Sequence, residues 1–336
     1  MKKILAILLA VTMLLTLAAC GTTTETTETT ETTETAETTE AVTYDVGICQ
    51  LVQHVALDDA TQGFMDALNE ALPGQVNFDN QNASNEIPMC STIVNNFIAA
   101  DCDLIMANAT PALQAASAAT GEIPILGTSV TEYGVALGIE GFSGTVGGNV
   151  SGTSDLAPLD KQAEMIAEWF PAADYPTVGL LYCSAEANSQ YQVDVVKAEL
   201  EAKGYTAEYY SFSDSNDLAA VVEAAASGCD VIYVPTDNTV AANTAIIDNI
   251  CRPAKVPVIG GDQGICEGCT VATLCISYYD LGVATGKMAA KILTGEADIA
   301  TMPIEYADAS SIYNVAICSE LGLTPPTDAY APVNEG

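Results

Sequence analysis

The chain has 336 residues, is 49% apolar and carries 25 glycines and 14 prolines, which is enough to bury one large core or two moderate ones. Its 9 basic residues against 44 acidic ones give a formal charge of -35. That balance argues against a nucleic-acid partner, whose phosphates need clustered Lys and Arg, and a lone histidine leaves no partner for His-based acid-base or metal chemistry.

In chain order, Met1-Lys2-Lys3 is a basic n-region, Ile4 to Leu17 an apolar h-region, and Leu17-Ala18-Ala19-Cys20 a small-residue processing site, the layout of an export signal. Those last four residues resemble the bacterial lipobox. The resemblance implies that residues 1–20 are a lipoprotein signal and that Cys20 is lipidated. Residues 21–42 form a Thr/Glu linker repeating ETT, which has almost nothing to bury and is expected to stay extended. No later window holds the ~18 uninterrupted apolar residues of a membrane span. The expected location is the extracytoplasmic face of the cell membrane, held by lipid.

From Thr43 onward short apolar runs alternate with amphipathic stretches, the pattern of βα units and parallel sheets. Helices are predicted over Ala56–Leu72, stopped by Pro73-Gly74, over Asp160–Phe170, over Val193–Lys203 and over Tyr279–Leu293. Three strand-like runs recur in order. Asp45–Gln50 is echoed by Thr177–Tyr182, Cys102–Ala107 by Cys229–Val234, and Glu122–Gly127 by Lys255–Gly260, at offsets of 132, 127 and 133 residues. One architecture used twice with small indels predicts two doubly wound α/β lobes. The glycine-rich Gly138–Gly152 separates the copies, with a first crossing expected near Gly152–Asp155 and a second near Thr273–Tyr278.

Ligands of open parallel sheets bind beyond the carboxyl ends of the strands, so the loops after the repeated strands are the candidates. After the first pair come Gln53, His54 and Asp58, facing Ser184, Glu186, Asn188 and Ser189. After the second, Thr110 and Pro111 read as N-cap and N1 of a helix whose free N–H groups suit an anion; Asp237-Asn238 stands at the equivalent place. After the third, Thr128 and Ser129 face Asp262. Donors on one lobe and carboxylates on the other suit an amino-acid zwitterion. The bland reading of Thr110 and of Asp237 is a plain helix cap, a role that does not exclude ligand contact.

Eleven cysteines do not oblige disulfides: Cys49, Cys102, Cys183, Cys229 and Cys275 lie in or beside apolar runs, as buried hydrophobes do. Cys266 and Cys269 form the one C-x-x-C, open to a small disulfide or, less readily, to a metal; no cofactor, metal or catalytic residue is expected. There is no G-x-S-x-G elbow, P-loop or G-x-G-x-x-G.

VGICQLVQHVALDDATQGFMDAL, DLIMANATPALQAA, IPILGTSVTEY, GGNVSGTSDLAP, EANSQYQV, IYVPTDNTVA and YYDLGVATGKMAAKILTGEA resemble the ABC-transporter substrate-binding proteins that include tryptophan-type (TrpX-like) binding lipoproteins. The resemblance covers about Thr43 to Pro325. It implies a type I periplasmic-binding-protein fold that clamps a ligand, not an enzyme, and delivery to a permease and ATPase. The expected division is 43–155 plus about 278–305 for lobe 1, 156–277 plus about 306–326 for lobe 2, and a tail at 327–336. The ligand-facing residues it implies are His54, Thr110, Ser129, Asp155, Glu186, Asn188, Asp237 and Asp262. Cys266 and Cys269 depart from the family pattern, which puts the geometry after Asp262 in question. The expected form is a monomer that captures an aromatic or branched amino acid. Two alternatives stand beside it: a sensor module for a signalling receptor, or a redox lipoprotein using Cys266 and Cys269.

Overall fold

A computed structural model describes residues 42–334. The export signal, Cys20 and all but the last residue of the linker lie outside the described residues. The first stretch runs β1 (Tyr44–Gln50), α1 (Val55–Ala71), β2 (Val76–Asn82), α2 (Ile87–Ala99), β3 (Leu104–Asn108), α3 (Thr110–Ala119), β4 (Ile125–Val130), α4 (Tyr133–Leu137) and β5 (Val150–Ser154). The second repeats the alternation: α5 (Leu159–Trp169), β6 (Thr177–Cys183), α6 (Ala187–Ala202), β7 (Thr206–Phe212), α7 (Ser215–Gly228), β8 (Val231–Tyr233), α8 (Asn238–Ala241), α9 (Thr244–Ala254), β9 (Val258–Gly260), α10 (Gln263–Cys269) and β10 (Ala272–Cys275). The chain ends with α11 (Tyr278–Leu293), β11 (Glu305–Tyr306), β12 (Ser310–Asn314), α12 (Val315–Leu321) and β13 (Ala331–Val333).

Two sheets result, ordered β11-β5-β4-β3-β1-β2 and β13-β12-β10-β9-β8-β6-β7. The internal repeat is visible in them, because the echoed runs are β1, β3 and β4 in one sheet and β6, β8 and β9 in the other, each set adjacent and parallel. Buried on both faces, these strands read as nearly continuous apolar runs. Apolar clusters cover both faces of each sheet: Leu57, Phe97 and Leu113 against Phe64, Leu104 and Met288 in one lobe; Trp169, Val196 and Tyr233 against Leu218, Ile232 and Ile247 in the other.

Three segments pass between the lobes: the residues after β5, the Ile276-Ser277 link between β10 and α11, and the short link from β11 to β12. After the second passage α11 returns to lie on α1. The approach is close enough that a Cβ on Gly282 would sit 2.0 Å from the Ala60 carbonyl oxygen, and one on Gly63 2.1 Å from that of Tyr279.

The structure departs from the sequence reading in three places. Helix α6 begins at Ala187, six residues before the predicted start, because its first turns bury Asn188, Ser189 and Gln192 in a polar network and carry no apolar period. Thr110 is the first residue inside α3, not its cap; Ala109 precedes it at φ 94. The segment expected as a tail supplies β13, paired in parallel with β12, and buries Tyr330 against Trp169.

Candidate functional site

The carboxyl ends of β1, β3 and β4 face those of β6, β8 and β9 across a cleft. Two direct interactions join its walls: His54 Nε2 lies 3.4 Å from Asn238 Oδ1, and Asn85 Nδ2 donates to Thr239 Oγ1 at 3.1 Å. Between the walls is a cavity lined by His54, Leu57, Ser129, Thr131, Asp155, Asn188, Thr236, Asp237, Asn238, Ala241, Asp262 and Tyr278. Within it the centre of a water molecule has only about 10 Å³ to occupy. At that size, entry of any larger molecule requires the lobes to part.

Seven of the thirteen ligand-binding candidates line this cavity: His54, Ser129, Asp155, Asn188, Asp237, Asn238 and Asp262. Their polar atoms fall into two groups. Asp237 is committed internally: its Oδ2 accepts from the Cys183 N–H at 2.7 Å and its Oδ1 caps α8 through Val240 N–H at 2.9 Å. Asp262 caps α10 through Ile265 N–H at 2.8 Å. Asp155 Oδ2 accepts from the Tyr278 hydroxyl at 2.8 Å, but Asp155 Oδ1, Ser129 Oγ and Asn188 Oδ1 are buried without any hydrogen-bond partner. Buried polar atoms are nearly always paired, so these three leave hydrogen-bonding capacity free on the cavity wall.

Backbone strain coincides with one of them, Ser129. Ser129 has φ 53 in a register irregularity between β4 and β5, and Ala109, at the end of β3, has φ 94. A positive φ is costly for any residue with a Cβ and is retained where the surroundings impose it. The irregularity re-aims Ser129 out of the strand alternation.

No Lys or Arg lines the cavity. Burial pushes the Asp262 carboxyl up to about 7, with the Asp155 charge adding to the shift and the Ile265 N–H opposing it. Burial likewise raises Asp155, against the hydrogen bond from Tyr278. Asp237 is raised by burial and then by the Glu186 charge. His54 is lowered by burial, which outweighs its bond to Asn238 and the Glu186 and Asp58 charges.

The other six candidates lie elsewhere. Glu186 is buried inside the second lobe, where Oε2 accepts from Asn238 N (3.0 Å) and Nδ2 (2.7 Å) and Oε1 from Thr239 N (2.9 Å) and Oγ1 (2.8 Å). Ser189 Oγ donates to Thr236 O at 3.5 Å beneath the cavity wall. Thr128 is in a buried hydroxyl chain with Thr153 and Thr285. Asp58 accepts from Gln50 Nε2 at 2.7 Å and, with Gln53, lines a separate open pocket. Thr110 and Pro111 are buried at the start of α3 outside the cavity lining, though Thr110 Oγ1 too has no partner. Ser184 is exposed and bonds Phe212 O.

Sequence reasoning missed Leu57, Thr131, Thr236, Ala241 and Tyr278. Thr236 immediately precedes Asp237 in a loop already marked. Tyr278 follows the second crossing, and its position beside Asp155 depends on α11 returning to the first lobe.

The C-x-x-C supports neither expected role. Cys266 and Cys269 are free, as are all ten cysteines among the described residues, and both are buried, which pushes their thiols up. A redox thiol needs an accessible thiolate. Cys266 is instead packed with Cys275 and Ile312 as a small apolar residue.

Two similar doubly wound lobes, linked by three passages around a closable cleft, define a type I periplasmic binding protein. Residues 45–331 match the family model of the ABC transporter substrate binding proteins, and the chain belongs to that family. It is 33% identical over 271 residues to a tyrosine-binding protein of Clostridioides difficile (strain R20291), covering 80% of this chain and 77% of that one. The ABC domain from Streptococcus pneumonia in complex with L-Trp superimposes at a TM-score of 0.82 with 32% identity, covering 87% of this chain and all (100%) of that one. A substrate-binding protein with adhesive properties from Clostridium difficile, solved ligand-free and open, is 36% identical over 86% of this chain and 99% of that one, yet superimposes at only 0.65. The better match to the less identical ligand complex agrees with the direct bonds between the lobes here.

Proposed function

We propose that this chain is a lipid-anchored, extracytoplasmic binding protein that captures an aromatic amino acid in the cleft and delivers it to a permease and ATPase. The observation that carries the ligand reading is the set of three unpartnered buried atoms, Ser129 Oγ, Asp155 Oδ1 and Asn188 Oδ1, in a cavity without a basic side chain. Asp155 Oδ1 offers an acceptor to an ammonium and Ser129 Oγ a donor to a carboxylate. Leu57, the His54 ring and the Tyr278 ring supply apolar surface for a side chain. As the lobes stand the cavity holds no more than water, so an amino acid enters when they part and is enclosed when they close. The relatives named for tyrosine and solved with L-Trp narrow the class to aromatic side chains. Cys20 and the Thr/Glu linker give the anchor and its reach.

A thermal-shift screen of the amino acids, nucleosides and simple sugars tests this. A ligand that binds only the folded state raises Tm by mass action. L-Trp or L-Tyr is expected among the hits, and an amino-acid panel without a shift sinks the reading.

A further inference from the structure

We propose that Asp155 and Asp262 together form a charge gate on lobe closure, selecting ligands that bring a cationic nitrogen between them. The inference deepens the amino-acid reading and rests on it for the nature of that cation. Asp155 follows β5 at the first passage between lobes, whereas Asp262 caps α10 in the second lobe. Closure therefore carries two carboxyls from opposite walls into one small cavity, where Asp155 acts electrostatically on Asp262.

Nothing around them supplies a positive charge. The Tyr278 hydroxyl bonds Asp155, Tyr133 feels the Asp155 charge, and Glu267, Cys266, Cys269 and Cys275 are the other titratable groups within reach of Asp262. Asp237, on the cavity wall, already has its two backbone N–H donors. His54, also on the wall, is kept neutral at pH 7 by burial. Two ionised carboxyls without a countercharge are strongly disfavoured in a site closed to water. Above neutral pH the ligand-free lobes are thus held apart. A proton on one carboxyl, or an ammonium between the two, removes the repulsion. Where an ammonium replaces the proton, the carboxyl O–H bond breaks, the proton passes to solvent, and the ammonium N–H groups donate to both carboxylates. A neutral or anionic isostere of the ligand brings no such compensation and leaves the gate open.

The test compares the full chain with its Asp262→Asn variant, which keeps a residue fit to cap α10. Without ligand at pH 8, small-angle scattering is expected to give the variant a smaller radius of gyration than the wild type, and the difference is expected to vanish at pH 5.5. Comparison at one pH cancels any change in the acidic linker. Equal radii at pH 8 overturn the gate; Asp155→Asn, which still offers Tyr278 an acceptor, repeats the comparison if the first variant does not fold. In the second arm, calorimetry at pH 8 sets L-Trp and L-Tyr against their desamino analogues, indole-3-propionate and 3-(4-hydroxyphenyl)propionate. The wild-type preference for the amino acid is expected to fall at least tenfold in Asp262→Asn, and an unchanged preference overturns the gate. Should neither amino acid bind while the radii differ as expected, the gate stands and the amino-acid reading fails.

Discussion

Replacing Glu186 by glutamine keeps the side chain's shape but removes one charge and one of two oxygens. The wild-type carboxylate takes four close donors from Asn238 and Thr239, two on each oxygen and all between 2.7 and 3.0 Å, and a longer one from Asn188 Nδ2 at 3.4 Å on Oε2. The amide oxygen satisfies one pair at most, and the amide nitrogen then faces two further donors. Hydrogen bonds to a charged group contribute about 1.5–3 kcal/mol each, so losing two costs about 3–6 kcal/mol. At roughly 2–3 °C per kcal/mol for a chain of this size, Tm should fall by about 6–18 °C. Calorimetry or a dye-based melt measures it. If Glu186 instead served the ligand, the variant would melt within about 2 °C of wild type and lose affinity alone. That result would refute the assignment of Glu186 as the internal brace that holds Asn238 against His54.

Gly282→Ala places a Cβ 2.0 Å from the Ala60 carbonyl and forces α11 from α1; overpacking of about 3 kcal/mol less a helix-propensity gain of about 1 leaves a net loss near 2 kcal/mol, read as a lower urea midpoint. Gly121→Ala, which meets nothing within 4 Å, is the control and should be silent. Asp262 is raised in the folded state from an ordinary 3.8 to about 7, so folding favours its protonated form and the associated stability is lost as pH rises through that interval. Denaturant unfolding should show wild-type stability declining between pH 4 and 7 relative to Asp262→Asn, by up to ~1.4 kcal/mol per pH unit; parallel pH profiles would contradict the shift. Cys266→Ser with Cys269→Ser should leave ligand-induced stabilisation in place, and its disappearance in this double variant would restore the redox reading.

The parts of the fold legible in the sequence were those where local pattern and tertiary role coincide. The runs at Asp45, Cys102 and Glu122 and their echoes are apolar because both sheet faces are covered, and repetition made them recognisable without any structure. Asp155, Asp237 and Asp262 followed from being just beyond strands. Glu186 and Thr128 followed from the same rule but turned inward, since proximity to a strand end does not say which way a side chain points. Tyr278 was not legible as a site residue because its neighbour Asp155 is 123 residues away in sequence. The start of α6 was missed for a different reason: its buried face is polar, and its partner is the Thr236 carbonyl rather than an apolar core.

The return of α11 and β11 to the first lobe also fixes the order in which the protein can be completed. Helix α1 covers its inner face, including Ala60 and Phe64, with residues 278–293, and the first sheet takes its edge strand from Glu305–Tyr306. A nascent chain that has produced all of β1 to β5 therefore still lacks the partner for α1 and cannot finish its amino-terminal half. Contacts this distant in sequence form late. The complete first lobe is thus unavailable until nearly the last strand has been made, and the amino-terminal half stays open for most of the chain's synthesis.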